Sequence, residues 1–439
     1  MKIIRDYKAA QKRLTRRAGS AYGEVSPRVK LQLTEVFGRE ISPEQAVQQI
    51  ADDVRCKGDA ALIYYTQKID GIKLKTLEIN KRRIAGAYLH VNKELVRALH
   101  LAAERVRLFH QEQKNNIWHG VVGADWGQIV RPLNRVGFYI PGGTAAYPSS
   151  VIATVVPGKV AGVKDIIMAT PPKADGTVPV NTLVAADIAG VDRIFCIGGA
   201  QAIAAMAYGT ETVPGVDKIC GPGNVFVMLA KKLVFGTVAI DALQGPSEVM
   251  VIADASANAR YCAADMLAQA EHDTLAQAIL ITTSVKKAAE IKDEIDKQLK
   301  DLPRRLIAAE SLAKNGALII VDSMEEAIEL ANLYAPEHLE LIIKKAEKYL
   351  SKINNAGCVF LGENSTEPIG DYVAGPSHAL PTGGTARFSS PLNVMDFMKI
   401  IDVVKIKKPV LKKLAGAAMT IARAEGLEAH ARAVEKRFE

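Results

Sequence analysis

The chain is short of aromatics, of paired cysteines and of long apolar runs, and each shortage excludes a class of protein. Nothing in its 439 residues approaches the roughly 20 consecutive apolar residues that a membrane-crossing helix needs. The basic start MKIIRDYKAAQKRLTRR is not followed by an apolar stretch, so no secretory signal is expected. Five cysteines (Cys56, Cys196, Cys220, Cys262 and Cys358) are scattered with no C-x-x-C pair. Such a set reads as free thiols in a reducing compartment, and a cytoplasmic protein is expected. Aromatics are only 5%, and the net charge of +8 is uneven: residues 1–40 hold ten Lys/Arg against four acids, leaving +2 for all the rest. The basic face and aromatic platforms of a nucleic-acid binder are missing. The basic start reads instead as an exposed helix or a subunit-contacting arm. The dinucleotide fingerprint G-x-G-x-x-G is also absent.

Hydrophobic residues at 49% and charged residues at 24% are ordinary for a soluble globular chain, and the length calls for two or more domains. Residues 42–110 read as helical: SPEQAVQQIADDVRCKGDAALIYYTQKID opens on an N-cap serine followed by proline. In NKELVRALHLAAERVRLFHQEQ, apolar residues recur at three and four, and His100 and His110 read as structural. From residue 135 short apolar runs alternate with small-residue helices: RVGFYI, KDIIMAT, DRIFCIG and VDKIC, then EVMVIAD, QAILITT, ALIIVDS and GCVFLG. Strand, glycine turn and helix in this rhythm mean βαβ units, and two parallel α/β sheets are expected in succession. The last fifty residues read as a helical tail without strands.

Three glycine turns (Pro141-Gly142-Gly143, Gly198-Gly199-Ala200-Gln201 and Gly221-Pro222-Gly223-Asn224) each follow a strand and open a helix, where backbone N–H groups can hold phosphate. They are equally plain α/β construction. Of eight histidines, His90, His100, His110 and His119 lack a chemical context. The other four have one. Gln269 and His272 are three apart at a helix end, a spacing a divalent metal can bridge. Glu337 and His338 precede a strand and suit two separate proton-transfer roles. Residues 370–385 form a glycine-rich loop in which Asp371 is a candidate ligand and His378 a second partner or a turn residue. Glu425 and His430 lie five apart on the tail. Gln, His, Asp and His make an N/O set suited to zinc.

The motifs GGAQAIAAMAYGT, VDKICGPGN, DALQGPSEV, QAEHD, YAPEHLE, GDYVAGPSHALPTGGTAR and AEGLEAHARAV, in this order and spacing, resemble the histidinol dehydrogenase family from about residue 30 to the end. Ser377 and Asp273 depart from that pattern, where Asn and Gly are common, without touching an implied ligand. The resemblance implies a zinc-dependent, NAD-dependent oxidation of L-histidinol to L-histidine in two hydride transfers, closing histidine biosynthesis. It implies that Gln269, His272, Asp371 and His430 hold zinc and that Glu337 and His338 are the acid–base pair. Ser247, Glu425, the ligands and His338 would contact substrate, while Tyr139, Gln201 and Asn224 would contact NAD. It further implies a homodimer in which His430 and Glu425 serve the partner's site. The expected architecture is α/β with two Rossmann-like parallel-sheet domains lacking the fingerprint. An N-terminal helical arm would cover 1–32, a first α/β domain 33–134 and 242–385, a second 135–241, and a helical tail domain 386–439.

Overall fold

The computed structural model describes residues 1–16, 27–117, 120–142 and 146–439; His119, Gly143 and residues 17–26 of the expected arm lie outside them. Two compact units result, Met1–Asn115 with Leu133–Phe397, and Asn116–Pro132 with Met398–Glu439. In chain order the strands are β1 (Lys2–Ile4), β2 (Glu78–Ile79), β3 (Trp126–Pro132), β4 (Arg135–Tyr139), β5 (Asp165–Thr170), β6 (Arg193–Cys196) and β7 (Lys218–Cys220). They continue as β8 (Ala239–Ile240), β9 (Glu248–Ala253), β10 (Gln277–Thr282), β11 (Ala317–Ile320), β12 (His338–Ile342), β13 (Cys358–Leu361) and β14 (Met398–Val404).

The first unit contains both large sheets. One has the order β1-β11-β10-β9-β12-β13 and is parallel throughout. The other has the order β2-β6-β5-β4-β7-β8 and is parallel except where β2 meets β6. Runs such as EVMVIA are buried at every position because helices cover both faces of a parallel sheet. Successive side chains serve opposite faces. Met250, Ile252, Ile279, Ile281, Leu339 and Leu341 pack with the helices Tyr7–Leu14 and Met324–Tyr334. Val249, Val251, Leu280 and Leu318 pack with Ala259–Ala270 and Val285–Gln298. The helix Pro43–Lys57 starts as its sequence indicates, on a capping box between Ser42 and Gln45.

Three expectations about organisation need correction. The arm is not purely helical, because Lys2–Ile4 forms the edge strand β1 beside β11. Residues 43–90 do not join the β9-containing sheet: the helix Pro43–Lys57 packs on Gly199–Tyr208 and Val225–Val234, and β2 extends the β4-containing sheet. The tail is not strand-free, since the β-branched run of β14 pairs antiparallel with β3 over all seven residues. That pairing makes a unit of its own with the helices Lys408–Ala424 and Glu428–Glu435, which Arg423 links by ion pairs to Glu428 (3.1 Å) and Glu435. Among the described residues no helix is long and apolar enough to cross a membrane.

Candidate active site

The chemistry-bearing side chains of the β9 sheet gather at its amino-terminal edge. Glu248 opens β9, His338 opens β12, and Glu337 precedes it. Open α/β sheets ordinarily place ligands at the carboxyl edge, which is where the β4 sheet has its glycine turns, after β4, β6 and β7.

One residue's backbone holds the Glu337–His338 pair. The Glu248 N–H donates to Glu337 Oε2 at 2.8 Å, and the Glu248 carbonyl lies 3.0 Å from His338 Nδ1. A carbonyl only accepts, so Nδ1 carries the hydrogen and Nε2 is the basic nitrogen of the neutral ring. Nε2 faces Asp371 Oδ1 at 3.3 Å, and Nδ1 stands 3.8 Å from Glu337 Oε2. Both side chains are buried. Burial pushes the Glu337 carboxyl up to about 8 against the pull of the His338 cation. Burial works to lower His338, but Glu337 and Asp371 outweigh it and hold the imidazole well above its usual value.

Asp371 draws the remaining candidates together. Burial favours its neutral form, yet the His338 hydrogen bond and the imidazoles of His378, His338 and His272 keep its carboxyl below the usual range. His338, Glu367 and Asp371 each offer a donor atom within 4.8 Å of the others. Glu367 has one signal in the sequence, the spacing Glu367-x-x-x-Asp371. Residues 370–374, expected as loop, form a π-helical turn that continues the short helix Glu367–Ile369. The helix Ala259–Ala270 packs against that short helix and carries Gln269, wholly buried with neither amide atom partnered. His272 follows in the turn after it; packing around its ring lowers its pKa, Asp371 raising and His338 lowering it further.

This donor set fits a metal ion. An unpartnered buried amide costs roughly 1–3 kcal/mol; Gln269 is left without partners, and so is Glu367 Oε2, whose carboxylate lies beside that of Asp371. A cation bound among these oxygens and imidazoles would satisfy them.

His378, expected as a second partner or a turn residue, holds the π-turn in place. Its Nδ1 donates to the Asp371 carbonyl at 2.7 Å, and its Nε2 meets Ser150 Oγ at 3.2 Å on the helix after β4. Ser247 is half-buried directly before Glu248, its carbonyl accepting from the Gln277 N–H at 3.0 Å. At the other sheet, Tyr139 ends β4, and its hydroxyl accepts from the Gly199 N–H at 3.2 Å while burial pushes it up to about 12. Gln201 is buried with Oε1 unpartnered, and Asn224 caps the helix Val225–Val234. Glu425 and His430 belong to the second unit, where both are exposed, Glu425 ending one helix and His430 on the next. His90 and His100 are exposed, whereas His110 is buried with Nδ1 2.8 Å from the Val106 carbonyl.

A sequence profile described as histidinol dehydrogenase matches residues 38–438. The chain belongs to the histidinol dehydrogenase family. Among similar proteins, a histidinol dehydrogenase of Dehalococcoides mccartyi (strain CBDB1) is 54% identical over 441 residues, covering 100% of both chains. One from Halalkalibacterium halodurans is 50% identical over 398 residues, covering 90% of this chain and 94% of its own. The crystal structure of histidinol dehydrogenase from Elizabethkingia anophelis superposes with a TM-score of 0.89 at 36% identity, covering 99% of this chain and 97% of that one. As a histidinol dehydrogenase family member the chain is an NAD-dependent oxidoreductase, and its α/β parallel-sheet fold is that of the family.

Proposed function

We propose that this enzyme oxidises L-histidinol to L-histidine through a bound aldehyde, using one zinc per subunit and two NAD, as the last step of histidine biosynthesis in the cytoplasm. The observation that carries the reading is the Glu248 carbonyl at His338 Nδ1, which leaves Nε2 as a buried base beside Asp371. Gln269, His272 and Asp371 would hold the zinc, with His430 supplied by the second copy in a homodimer. When bound, zinc supplies charge that orients the substrate's imidazole and amine, and NAD accepts the hydride of each oxidation.

His338 Nε2 takes the hydroxyl proton as the first hydride leaves the carbinol carbon. Glu337, with its carboxyl near 8, takes a proton from the water that adds to the aldehyde. His338, its proton released to solvent, takes the hydrate's hydroxyl proton as the second hydride leaves, and the carboxylate product remains. Ser247 and Glu425 bear on the substrate; Tyr139, Gln201 and Asn224 border NAD. The zinc and catalytic roles thereby fall to the β9 sheet and the NAD contacts to the β4 sheet.

A two-stranded sheet is marginal alone, and the second unit exposes Ile400, Ile401, Val404, Leu414 and Ile421. Apolar surface of this kind suits a contact between subunits. The five cysteines are all free, which suits a reducing cytoplasm.

The deciding experiment counts NADH formed per L-histidinol consumed, with and without a chelator. Two NADH, lost on chelation and restored by zinc, is the expected result. One NADH would mean an oxidation that stops at the aldehyde, and none from metal-loaded protein would overturn the reading. His338→Asn should retain its metal and lose about a hundredfold or more in turnover.

A further inference from the structure

We infer that Arg16, in the N-terminal arm, is a positioning residue for the Glu337–His338 pair and acts through Glu248. The inference rests on the reading of that pair as the acid–base residues. Arg16 lies upstream of the residues 38–438 that carry the family signature.

Glu248 is 1% exposed, and a carboxylate that deeply buried needs a full set of partners. Of its four hydrogen bonds, Gln277 Nε2 adds a long one to Oε1 at 3.4 Å and Arg16 supplies the two shortest. Its Nη1 and Nη2 donate in parallel to Glu248 Oε1 and Oε2, both at 2.6 Å. Its Nε donates to the Tyr334 carbonyl at 2.9 Å, and its guanidinium stacks 3.9 Å above the Tyr334 ring. The Gly383 N–H adds a bond to Glu248 Oε1 at 3.2 Å. A planar fork gripped at both ends and on one face fixes the carboxylate in orientation as well as in place.

The same residue's backbone carries both catalytic side chains. The β9–β12 ladder begins with His338 opposite Val249, one residue past Glu248. The Glu248 N–H and C=O are therefore left to bond side chains, Glu337 through one and His338 through the other. Whatever holds Glu248 sets the carboxylate, the imidazole tautomer and the aim of Nε2 together. Tyr334, on which Arg16 rests, closes the ring: its hydroxyl donates to Gln277 Oε1 at 3.0 Å, on the strand paired with β9. Arg16 thus gives the N-terminal arm a task at the catalytic centre without touching a reacting atom.

The test uses the full-length, metal-loaded enzyme in four forms: wild type, Arg16→Ala, Arg16→Lys and the double variant Arg16→Met with Glu248→Gln. The double variant removes the charge that Arg16→Ala would strand in the interior, so it reports even where Arg16→Ala fails to fold. For folded protein, kcat is expected to fall at least tenfold in Arg16→Ala and in the double variant, since displacements near 1 Å at such groups cost about a hundredfold. The KM for L-histidinol and the Kd for NAD are expected to stay within threefold. Arg16→Lys, a point charge in place of a fork, should restore only part of kcat. A kcat within twofold of wild type in folded variants, or losses spread equally over kcat, KM and NAD affinity, would overturn the proposal. Glu337→Gln and His338→Asn are measured alongside. If they keep their turnover the acid–base reading fails and the proposal falls with it; if they lose turnover while the Arg16 variants do not, the proposal alone fails.

Discussion

At the scale of the residue, the site depends on where a few protons and lone pairs are left without alternatives. Gln269 is the sharpest case, since both of its amide atoms are buried and unpartnered. Gln269→Leu should therefore act in two opposite directions. The chelator-treated protein should gain about 1 kcal/mol in urea unfolding, because an unsatisfied amide is replaced by an apolar group of similar size. Metal content by mass spectrometry should fall to background. Wild-type metal content in the variant would remove Gln269 from the ligand set. The Glu337–His338 pair gives a pH-dependent prediction. His338 is a base only when neutral, and carboxylates beside it raise its pKa, so kcat/KM should climb with pH above neutrality. Glu337→Gln deletes one raising charge, and the limb should move to lower pH; an unmoved limb would mean that the two groups do not interact. Much at this scale was legible: Gln269, His272, Glu337, His338 and Asp371 stand out as types and spacings. Glu367 did not, because a turn containing proline and glycine gives no sign of the π-helical turn that brings its carboxyl to Asp371. Arg16 was one cation among ten in the first forty residues, and its carboxylate partner lies 232 positions away.

At the scale of the element, strand edges and turns decide where that chemistry sits. The runs EVMVIAD, QAILITT and ALIIVDS read as buried strands because parallel strands are apolar on both faces. Which end of a strand bears function is not written in such a run, and the β9 sheet gathers its candidate side chains at the end that the usual rule neglects. The pairing of β14 with β3 was illegible for another reason, since no turn signal joins strands so distant in sequence. On the β4 sheet, Gly221 has φ +114°, and a Cβ there would stand 2.0 Å from the Tyr139 carbonyl oxygen. Gly221→Ala should cost at least about 3 kcal/mol in urea unfolding and weaken NAD binding by displacing the end of β4. An unchanged midpoint would show that this turn yields without cost.

At the scale of the whole molecule, the second unit poses the question of shared sites. If the proposed homodimer shares its sites, mixing His430→Ala subunits with Glu337→Gln subunits should restore part of the turnover that neither variant has alone, because each hybrid would contain one intact site. Failure to recover activity in a mixture that demonstrably exchanges subunits would mean that each site is built within one chain. The pairing of β1 with β11 bears on how such a molecule is made. Everything in the β4 sheet lies between residues 78 and 240, so a ribosome can release that layer complete. In the β9 sheet, by contrast, the edge strand Lys2–Ile4 docks on Ala317–Ile320, a strand more than 300 residues later in the chain. At about 5–20 residues per second of synthesis, Lys2–Ile4 and the helix Tyr7–Leu14 wait roughly 15–60 seconds for the surface they cover. During that interval Ala10 and Leu14, buried in the finished enzyme, still lack the helix Met324–Tyr334 on which theirs packs. The segment Lys2–Leu14 is thus an obligatory latecomer to its own fold.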